Sequence, residues 1–275
     1  MYTLNCNGKL LEIAEPLVMG ILNITPDSFY SGSRIAADDV LRNAEEKIRQ
    51  GAAILDVGGQ STRPGSERLS ADEECSRVIP AVAKIHKNFP DQIISIDTFY
   101  GKVAQEAVHA GASIVNDISA GTLDDSLIPI VAQLKVPYVL MHMKGTPQTM
   151  QQHPQYRNVT LDVFHFLNFK IKELHQAGIH DIIVDPGFGF GKNAAHNFQL
   201  LRELSFFKQL QKPVMIGLSR KASIYKTLNT TAEEALNGTT VLNTIALLHG
   251  ASILRVHDVK QAVEAVKLVR EMREM

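Results

Sequence analysis

Short apolar runs alternate with longer segments of helical period along most of the chain. The runs are rich in β-branched residues and apolar on both faces, which is typical of strands in a covered parallel sheet. The longer segments predict amphipathic helices, so each run and the segment after it form a strand–helix unit. The predicted strands span residues 17–22, 53–57, 93–97, 113–117, 136–141, 182–185, 214–218 and 253–256. Eight such units predict an α/β protein of the (β/α)8 TIM-barrel class.

The candidate helices lie between these strands, where a barrel has its outer layer. They include residues 36–50, 72–87, 102–110, 159–177, 232–249 and 258–272. Before the first unit, residues 2–13 contain two short runs around Asn7 and Gly8, a dipeptide that favours a tight hairpin turn. We therefore expect an N-terminal β-hairpin that plugs the floor of the barrel. No linker rich in Pro, Gly or Ser divides the chain, so we expect residues 1–275 to form a single domain.

The composition argues against several classes of protein. Of the 275 residues, 45% are hydrophobic and 21% are charged, and the formal net charge is -1, which favours neither nucleic acid nor a membrane as partner. The two cysteines, Cys6 and Cys75, form no CxxC pair, which fits a reducing compartment better than a disulfide framework. The first residues lack the features of a secretion signal, and no 18-residue apolar run occurs. We therefore expect a cytoplasmic protein.

Polar residues close nearly every predicted strand. Active sites of (β/α)8 barrels form at the carboxyl ends of the strands, so these residues are the candidates for chemistry. Any one of them could cap a helix or pair with a neighbour, but the whole row costs desolvation unless a ligand or mutual pairing compensates. The row consists of Asn23, Asp56, Asp97, Asn116, Asp117, His142, Asp185, Ser219, Arg220, Lys221, Arg255 and His257. It predicts a binding site for a small polar ligand.

Two glycine-rich loops could be mistaken for nucleotide-binding motifs. Residues 187–192 read GFGFGK, but Asn193 follows where a Walker A motif requires Ser or Thr, and Pro186 stands at the position of its first glycine. Residues 58–65 read GGQSTRPG, a flexible loop whose hydroxyl groups and Arg63 could bind an anion. The histidines show no HExxH spacing, which argues against a zinc site, and no GxSxG sequence marks a serine nucleophile.

Several segments together resemble one family, the dihydropteroate synthases of folate biosynthesis. They follow the family's order, and jointly they are highly specific. They are GILNITPDSF at 20–29, DVGGQSTRPG at 56–65, SIDT at 95–98, NDI at 116–118, DPGFGFGK at 185–192, GLSRK at 217–221 and RVHD at 255–258. The resemblance implies an enzyme that joins 6-hydroxymethyl-7,8-dihydropterin diphosphate to 4-aminobenzoate, releasing diphosphate and forming 7,8-dihydropteroate.

The resemblance also implies which residues bind the pterin diphosphate. A pterin presents donors and acceptors along one flat edge, so its pocket needs fixed acceptors and donors together. The residues implied for the ring are Asp97, Asn116, Asp185 and Lys221, with Met141 packed on its face. Those implied for the diphosphate are Thr62, Arg255 and His257, with Asn23 helping to bind Mg2+ on it.

The second substrate carries a carboxylate and an aromatic amine. By the family pattern, Ser219 meets the carboxylate with help from a helix N-terminus, and Arg63, Pro64, Phe190 and Lys221 form the aromatic slot. The amine is neutral at pH 7, so no dedicated catalytic histidine is expected. Lys221, Arg255 and His257 are the implied catalytic residues, and the last two would stabilise the departing diphosphate with Mg2+. The family usually forms homodimers through barrel helices.

Two positions depart from the family pattern. The first loop of most members continues as Ser-Phe-Ser-Asp-Gly, whereas this chain has Tyr30 and Ser31 before Gly32 and so lacks the loop carboxylate. Gln60 stands where Glu is common, which removes a negative charge near Arg63. The missing loop carboxylate could steady a cation in other members, and Asp27 is the candidate to replace it here.

Two other functions compete with this interpretation. A methyltetrahydrofolate-dependent methyltransferase shares a pterin-binding barrel, but it has little need for the STRPG and SRK segments. A non-catalytic paralogue that binds pterin as a sensor or partner protein gains weight from the two departures. An assay with both substrates and Mg2+ separates the three.

Overall fold

The computed structural model describes residues 1–24, 34–60, 68–146, 148–150 and 154–274. Its strands are β1 (Tyr2–Cys6), β2 (Lys9–Ile13), β3 (Leu17–Asn23), β4 (Ile54–Gly58), β5 (Ile93–Asp97), β6 (Ile114–Asp117), β7 (Tyr138–Met141), β8 (Ile182–Asp185), β9 (Met215–Ile216) and β10 (Ile253–Val256). Its helices are α1 (Arg34–Arg49), α2 (Ala71–Asn88), α3 (Gly101–His109), α4 (Leu127–Leu134), α5 (Val159–Gln176), α6 (Ala194–Arg202), a 3-10 helix (Leu204–Leu210), α7 (Ala222–Tyr225), α8 (Leu236–Leu248) and α9 (Val259–Glu274).

Strands β3 to β10 form one parallel sheet that closes into a barrel. The strand order is β8-β7-β6-β5-β4-β3-β10-β9. The seam between β8 and β9 is joined by a parallel bridge between Val184 and Val214 and by a 2.9 Å hydrogen bond from the Val184 N–H to the Pro213 carbonyl oxygen. The prediction of a (β/α)8 TIM barrel is confirmed, because the helices that follow the strands pack around this closed sheet.

The N-terminal hairpin plugs the floor of the barrel. Strands β1 and β2 pair antiparallel across the predicted turn at Asn7 and Gly8, both of which have positive φ. The inward side chains of the hairpin pack against an inward residue near the start of each barrel strand in one apolar cluster. This floor cluster contains Leu4, Cys6, Ile13, Met19, Ile54, Ile93, Ile114, Val139, Ile183, Met215 and Ile253. The predicted hairpin and its position on the floor are confirmed.

A second apolar layer lies between the barrel and its helices. Alternate residues along a strand point to opposite faces, so the neighbours of the floor residues point outward. In β4, for example, Ile54 belongs to the floor, whereas Leu55 and Val57 face α2 through Val78 and Val82. Burying each such side chain stabilises the fold by about 1.5–3 kcal/mol. Burial on both faces explains why the strands are apolar throughout.

Element boundaries differ from the predicted ones where the local pattern is weak. Strand β9 has two residues instead of five, and α8 begins at Leu236 rather than at residue 232. Helices α4 and α6 were not among the predicted helices, since α4 has eight residues with Pro129 inside and α6 has only nine residues. None of the described helices combines the length and the apolar character needed to cross a bilayer.

Candidate active site

Arg255 joins three strands at the upper rim of the barrel. It stands near the end of β10, and its Nε donates to Asp56 Oδ2 while its Nη2 donates to Asp97 Oδ2, both at 2.6 Å. Asp56 is 0% exposed, and it also accepts a 3.1 Å hydrogen bond from Asn116 Nδ2. The register explains this convergence, because Asp97 is paired with Gly58 on one side and with Asn116 on the other. Asp56 thus orients both a cation and an amide of the predicted site.

The paired charges shift the acid–base properties of this cluster. Burial raises the pKa of Asp97, the Arg255 guanidinium opposes that rise, and the Asp56 carboxylate adds to it. Burial lowers the pKa of Arg255, but Asp56 and Asp97 outweigh it and hold that pKa above its usual value. Arg255 is therefore a permanent cation between two acidic groups.

Asp117 follows Asn116 in the chain but does not reach the site. Its carboxylate accepts hydrogen bonds from the Tyr138 hydroxyl at 2.6 Å and from the N–H groups of Ser119 and Gly121 at 2.7 Å. Successive side chains of a strand point to opposite faces, so only Asn116 of the two points into the barrel. Asp117 therefore ties the β6 end to β7 and to the turn that follows.

Asp185 and Lys221 are a second set of polar groups, and they interact electrostatically across the seam of the barrel. Asp185 closes β8 and accepts a 2.7 Å hydrogen bond from the Gly187 N–H. Lys221 Nζ donates to the Phe188 carbonyl oxygen and lies 4.7 Å from the centre of the Phe190 ring. Burial lowers the pKa of Lys221 to about 8; Asp185 opposes this shift, whereas Arg255 adds to it. The pair offers an anionic acceptor and a titratable donor on one side of the mouth.

Ser219 and His257 contact each other at the ends of β9 and β10. Ser219 Oγ accepts a 3.2 Å hydrogen bond from the His257 N–H and lies 3.0 Å from His257 Nδ1. Desolvation and then Arg255 lower the pKa of His257 to about 4, so the imidazole is neutral at pH 7. If the hydroxyl donates to Nδ1, Nε2 carries the proton and points a neutral donor away from Ser219. Ser219 lies shortly before α7, which begins at Ala222, and its hydroxyl contacts His257 in this structure.

An apolar patch adjoins the polar groups. Phe99, Ile118 and Met141 are buried together, with Phe190 and Met143 partly buried against them. Met141 ends β7, beside Asp185 in the strand register. The mouth thus combines a flat apolar wall with donors and acceptors, the combination that ring-shaped polar ligands require.

Three predicted site residues, Thr62, Arg63 and Pro64, lie outside the described residues, as do Asp27 and the Tyr30 and Ser31 departures. The Gln60 departure is described. Its Oε1 accepts a 2.9 Å hydrogen bond from the Leu69 N–H, a bond that a glutamate could also accept. The substitution therefore keeps the link between the two ends of this loop.

Asn23 ends β3 with an exposed side chain, paired in register with Gly58. No group of three or more His, Cys, Asp or Glu side chains within the described ranges could hold a metal ion by itself. A carboxamide oxygen at the rim fits Mg2+ as one hard ligand among several, provided that phosphate oxygens and water complete the shell.

Two buried groups near the rim were not recognised in the sequence. Lys192 closes the glycine-rich loop, but its amine turns into the protein and contacts His142. Glu74 on α2 is 0% exposed, and burial raises the pKa of its carboxyl to about 8. A sequence signal existed only for Lys192, as the last residue of GFGFGK; the buried position of Glu74 depends on the packing of α2 against β4 and β5.

Known proteins resemble this chain over nearly its whole length. Residues 19–257 match the family model of pterin binding enzymes. Dihydropteroate synthase from Escherichia coli strain K12 is 43% identical over 265 residues, covering 95% of this chain and 93% of the relative. The enzyme of the same name from Haemophilus influenzae is 41% identical, covering 96% and 97%.

Solved structures give the same result. The Yersinia pestis dihydropteroate synthase in complex with a sulfonamide drug superposes with a TM-score of 0.94 at 39% identity, with both chains covered completely. The Xanthomonas albilineans enzyme in complex with 7,8-dihydropteroate superposes with a TM-score of 0.89 at 36% identity, again over both whole chains. Together with the polar rim described above, these likenesses show that the chain belongs to the dihydropteroate synthase family of pterin-binding enzymes.

Proposed function

We propose that the chain is a transferase that condenses 6-hydroxymethyl-7,8-dihydropterin diphosphate with 4-aminobenzoate, giving 7,8-dihydropteroate and diphosphate. The observation that carries this proposal is the cluster around Arg255, in which a half-buried cation joins Asp97 and Asp56, and Asp56 in turn holds Asn116. Ordered acceptors and donors beside an apolar wall suit a flat heterocycle with a polar edge.

The pterin ring would lie against the inner rim. Asp97 and Asp185 supply carboxylate acceptors for its N–H groups, Asn116 supplies an amide, and Lys221 supplies a donor. Met141 would cover one face of the ring. The low pKa of Lys221 matters for this role, because its ammonium loses its charge near pH 8 rather than near pH 10.

The diphosphate would lie at the outer rim, next to Arg255 and His257. Arg255 contributes a permanent charge, whereas His257 contributes a neutral N–H donor at pH 7. Thr62 would add a hydroxyl and Asn23 an oxygen ligand for Mg2+. A bound Mg2+ would supply positive charge to the diphosphate oxygens. These groups would stabilise the negative charge that develops on the leaving diphosphate.

The 4-aminobenzoate would enter beside Lys221 and Phe190. Arg63 and Pro64 would complete the slot, and Ser219 would bind the carboxylate if its hydroxyl leaves His257. The neutral amine needs no general base before it attacks. We propose that the bond to diphosphate breaks first, supported by the electron-rich pterin, and that the amine then captures the methylene carbon and loses a proton. Single-turnover diphosphate release with weaker amines tests this order, since a rate that strictly follows amine strength at saturation contradicts it.

The decisive experiment is an assay of the purified chain with pterin diphosphate, 4-aminobenzoate and Mg2+. Formation of 7,8-dihydropteroate with equimolar diphosphate is the expected result. Pterin binding without product would favour a non-catalytic paralogue. Methyl transfer from methyltetrahydrofolate to a cobalamin protein would favour the methyltransferase.

We also propose a cytoplasmic homodimer built from one domain per chain, residues 1–275. Apolar side chains on α8 and α9 support a dimer through these helices: Val241, Leu248, Leu268 and Met272 are all exposed, Leu268 by 73%. Cys6 and Cys75 are both free thiols, which agrees with a reducing compartment. Light scattering should give the mass of two chains, and Leu268→Glu should shift it to one; a monomeric wild-type chain would contradict the dimer.

A further inference from the structure

The amine of Lys192 lies inside the loop that follows β8. The residue is only 2% exposed, and its Nζ lies 2.9 Å from the Gly187 carbonyl oxygen and 3.0 Å from that of Phe190. It also lies 2.9 Å from His142 Nδ1 and 3.3 Å from the His142 carbonyl oxygen. One nitrogen thus connects both ends of a four-residue turn to the end of β7.

All four contacts of the Lys192 amine are to uncharged groups. Three of these groups are carbonyl oxygens, and each buried carbonyl oxygen needs a hydrogen-bond donor. Burial, and then the positive charge of Lys192, lower the pKa of His142 to about 2, so the imidazole is neutral. Burial likewise lowers the pKa of Lys192 well below its usual value, with Asp185 opposing the shift. Whether charged or neutral, the amine has at least two N–H groups for the carbonyls of Gly187 and Phe190.

The loop needs such a clamp because its backbone is glycine-rich. Gly187, Gly189 and Gly191 all have positive φ, and a Cβ at Gly187 would lie 1.9 Å from the His142 carbonyl oxygen. Glycine permits this path but also makes the unclamped segment flexible. Besides Lys192, the Tyr156 hydroxyl donates to the Gly191 carbonyl oxygen at 2.8 Å. The Gly189 N–H donates to Asn197 Oδ1 at 2.8 Å.

The clamped loop in turn positions the groups of the mouth. The Phe188 carbonyl oxygen accepts from Lys221 Nζ, and the Phe190 ring lies against the same amine. The Gly187 N–H donates to the Asp185 carboxylate. Lys192 hydrogen-bonds to the backbone of Phe190 but not to its ring, and the turn that it contacts holds Phe190, Lys221 and Asp185 in place.

We propose that Lys192 is a positioning residue, which fixes the turn of residues 187–191 so that Lys221, Asp185 and Phe190 form the junction between the pterin and 4-aminobenzoate subsites. This inference rests on the proposed function of that site. The lysine of the GFGFGK segment then stabilises a turn. It does not bind phosphate, as the lysine of a nucleotide-binding loop does.

The first test is Lys192→Met in the full chain, because methionine keeps much of the length and apolar volume but has no donor. We expect kcat/KM for 4-aminobenzoate to fall about 10- to 100-fold, since misplacement of binding groups by about 1 Å can cost that much. The matched control is Lys172→Met, which removes an exposed lysine of α5 that takes part in none of the loop contacts described above. Its kinetics should equal those of the wild type.

The pH profile separates positioning from a general loss of structure. Asp185, Asp97 and Arg255 face Lys221, whose deprotonation should give the wild type an alkaline limb near pH 8. A loosened loop admits water, which reduces the desolvation that lowers the pKa of Lys221, so this limb should move to higher pH in Lys192→Met. Unchanged KM and pH profile, with activity lost only in proportion to unfolded protein, would overturn the proposal.

Tyr156→Phe provides a second variant if Lys192→Met does not fold. It removes only the hydroxyl that holds Gly191, a loss of about 0.5–1.5 kcal/mol that leaves the protein folded at the assay temperature. We expect a rise of about 3- to 10-fold in KM for 4-aminobenzoate. Wild-type kinetics in this variant would overturn the proposal. An inactive wild-type chain, in contrast, would refute the proposed function and not the clamp.

Discussion

The floor and the upper rim of the barrel are built by the same eight strands in opposite ways. At the floor, residues such as Met19, Ile54 and Ile183 meet the hairpin in a wholly apolar cluster. At the rim, the half-buried Arg255 and the fully buried Asp56 are charges that satisfy each other. Burying charge is costly unless it is paired, whereas burying apolar surface is favourable by itself. Stability is therefore concentrated at one end and binding groups at the other, and substitutions at the two ends should have different effects.

The largest effect is expected at the rim, for Lys221→Ala. Loss of a donor at the site of reaction costs at least about 100- to 1,000-fold in rate, and here the same amine contacts both substrate subsites in the proposed function. Circular dichroism should be unchanged while kcat/KM falls below about one thousandth of the wild-type value. An unchanged rate would refute the proposed site.

The next effect is expected for Asp56→Asn. The amide has nearly the same size as the carboxylate but carries no negative charge and has only one acceptor oxygen. The hydrogen bonds from Arg255 and Asn116 should therefore weaken, and these two side chains should lose their orientation. We predict a rise of about 10- to 100-fold in KM for pterin diphosphate. The matched control is Asp117→Asn on the outward face, which should lower the melting temperature and leave KM unchanged. Equal KM effects for the two variants would contradict the distinction.

At the floor, Ile54→Ala should lower stability without affecting binding. Ile54 is fully buried in the floor cluster, and truncations of this kind cost about 2–5 kcal/mol, against about 0.5–1.5 kcal/mol for Ile54→Val. Urea titrations of both variants measure the loss, and KM for each substrate measures the binding. A raised KM in the folded Ile54→Ala protein would show that the two ends are coupled.

The smallest effect concerns Glu74, which lies behind the rim. Burial raises its pKa from 4.5 to about 8, with Thr98 opposing the shift and Asp97 adding to it. Between these values the folded protein holds a proton that the unfolded chain releases, so stability should decrease as pH rises, by at most about 1.4 kcal/mol per pH unit. Glu74→Gln should remove this part of the slope in urea titrations between pH 5 and pH 8. An identical slope in wild type and variant would contradict a raised pKa.

The sequence predicted most of the barrel because its strands are apolar on both faces and end in polar residues. Asn116 and Asp117 show the limit of that reasoning. Both close the same strand, but their directions depend on the register with β5 and β7. The role of Asp56 could not be predicted either, since its partner Arg255 lies 199 positions away in the chain. The roles of Thr62, Arg63 and Pro64 stay predictions.

Lys192 shows a different limit. The missing Ser or Thr excluded a Walker A motif, but the sequence did not predict the positive φ of the three loop glycines. The local sequence does not determine whether Lys192 faces solvent or the interior. Its orientation depends on contacts with His142, which follows β7 and lies 50 positions away in the chain. Short elements such as α4 were missed for a related reason, since tertiary packing rather than a long periodic pattern stabilises them.

The burial of Cys6 in the floor cluster gives the protein a built-in chemical probe. Its thiol is 0% exposed, and burial raises its pKa to about 12, so a thiol reagent can modify it only when the hairpin leaves the barrel. Cys75 on α2 is also buried, with a pKa raised by burial to about 11. The labelling rates of the two thiols in the native chain therefore measure how often the floor opens and how often α2 detaches, without any engineered residue.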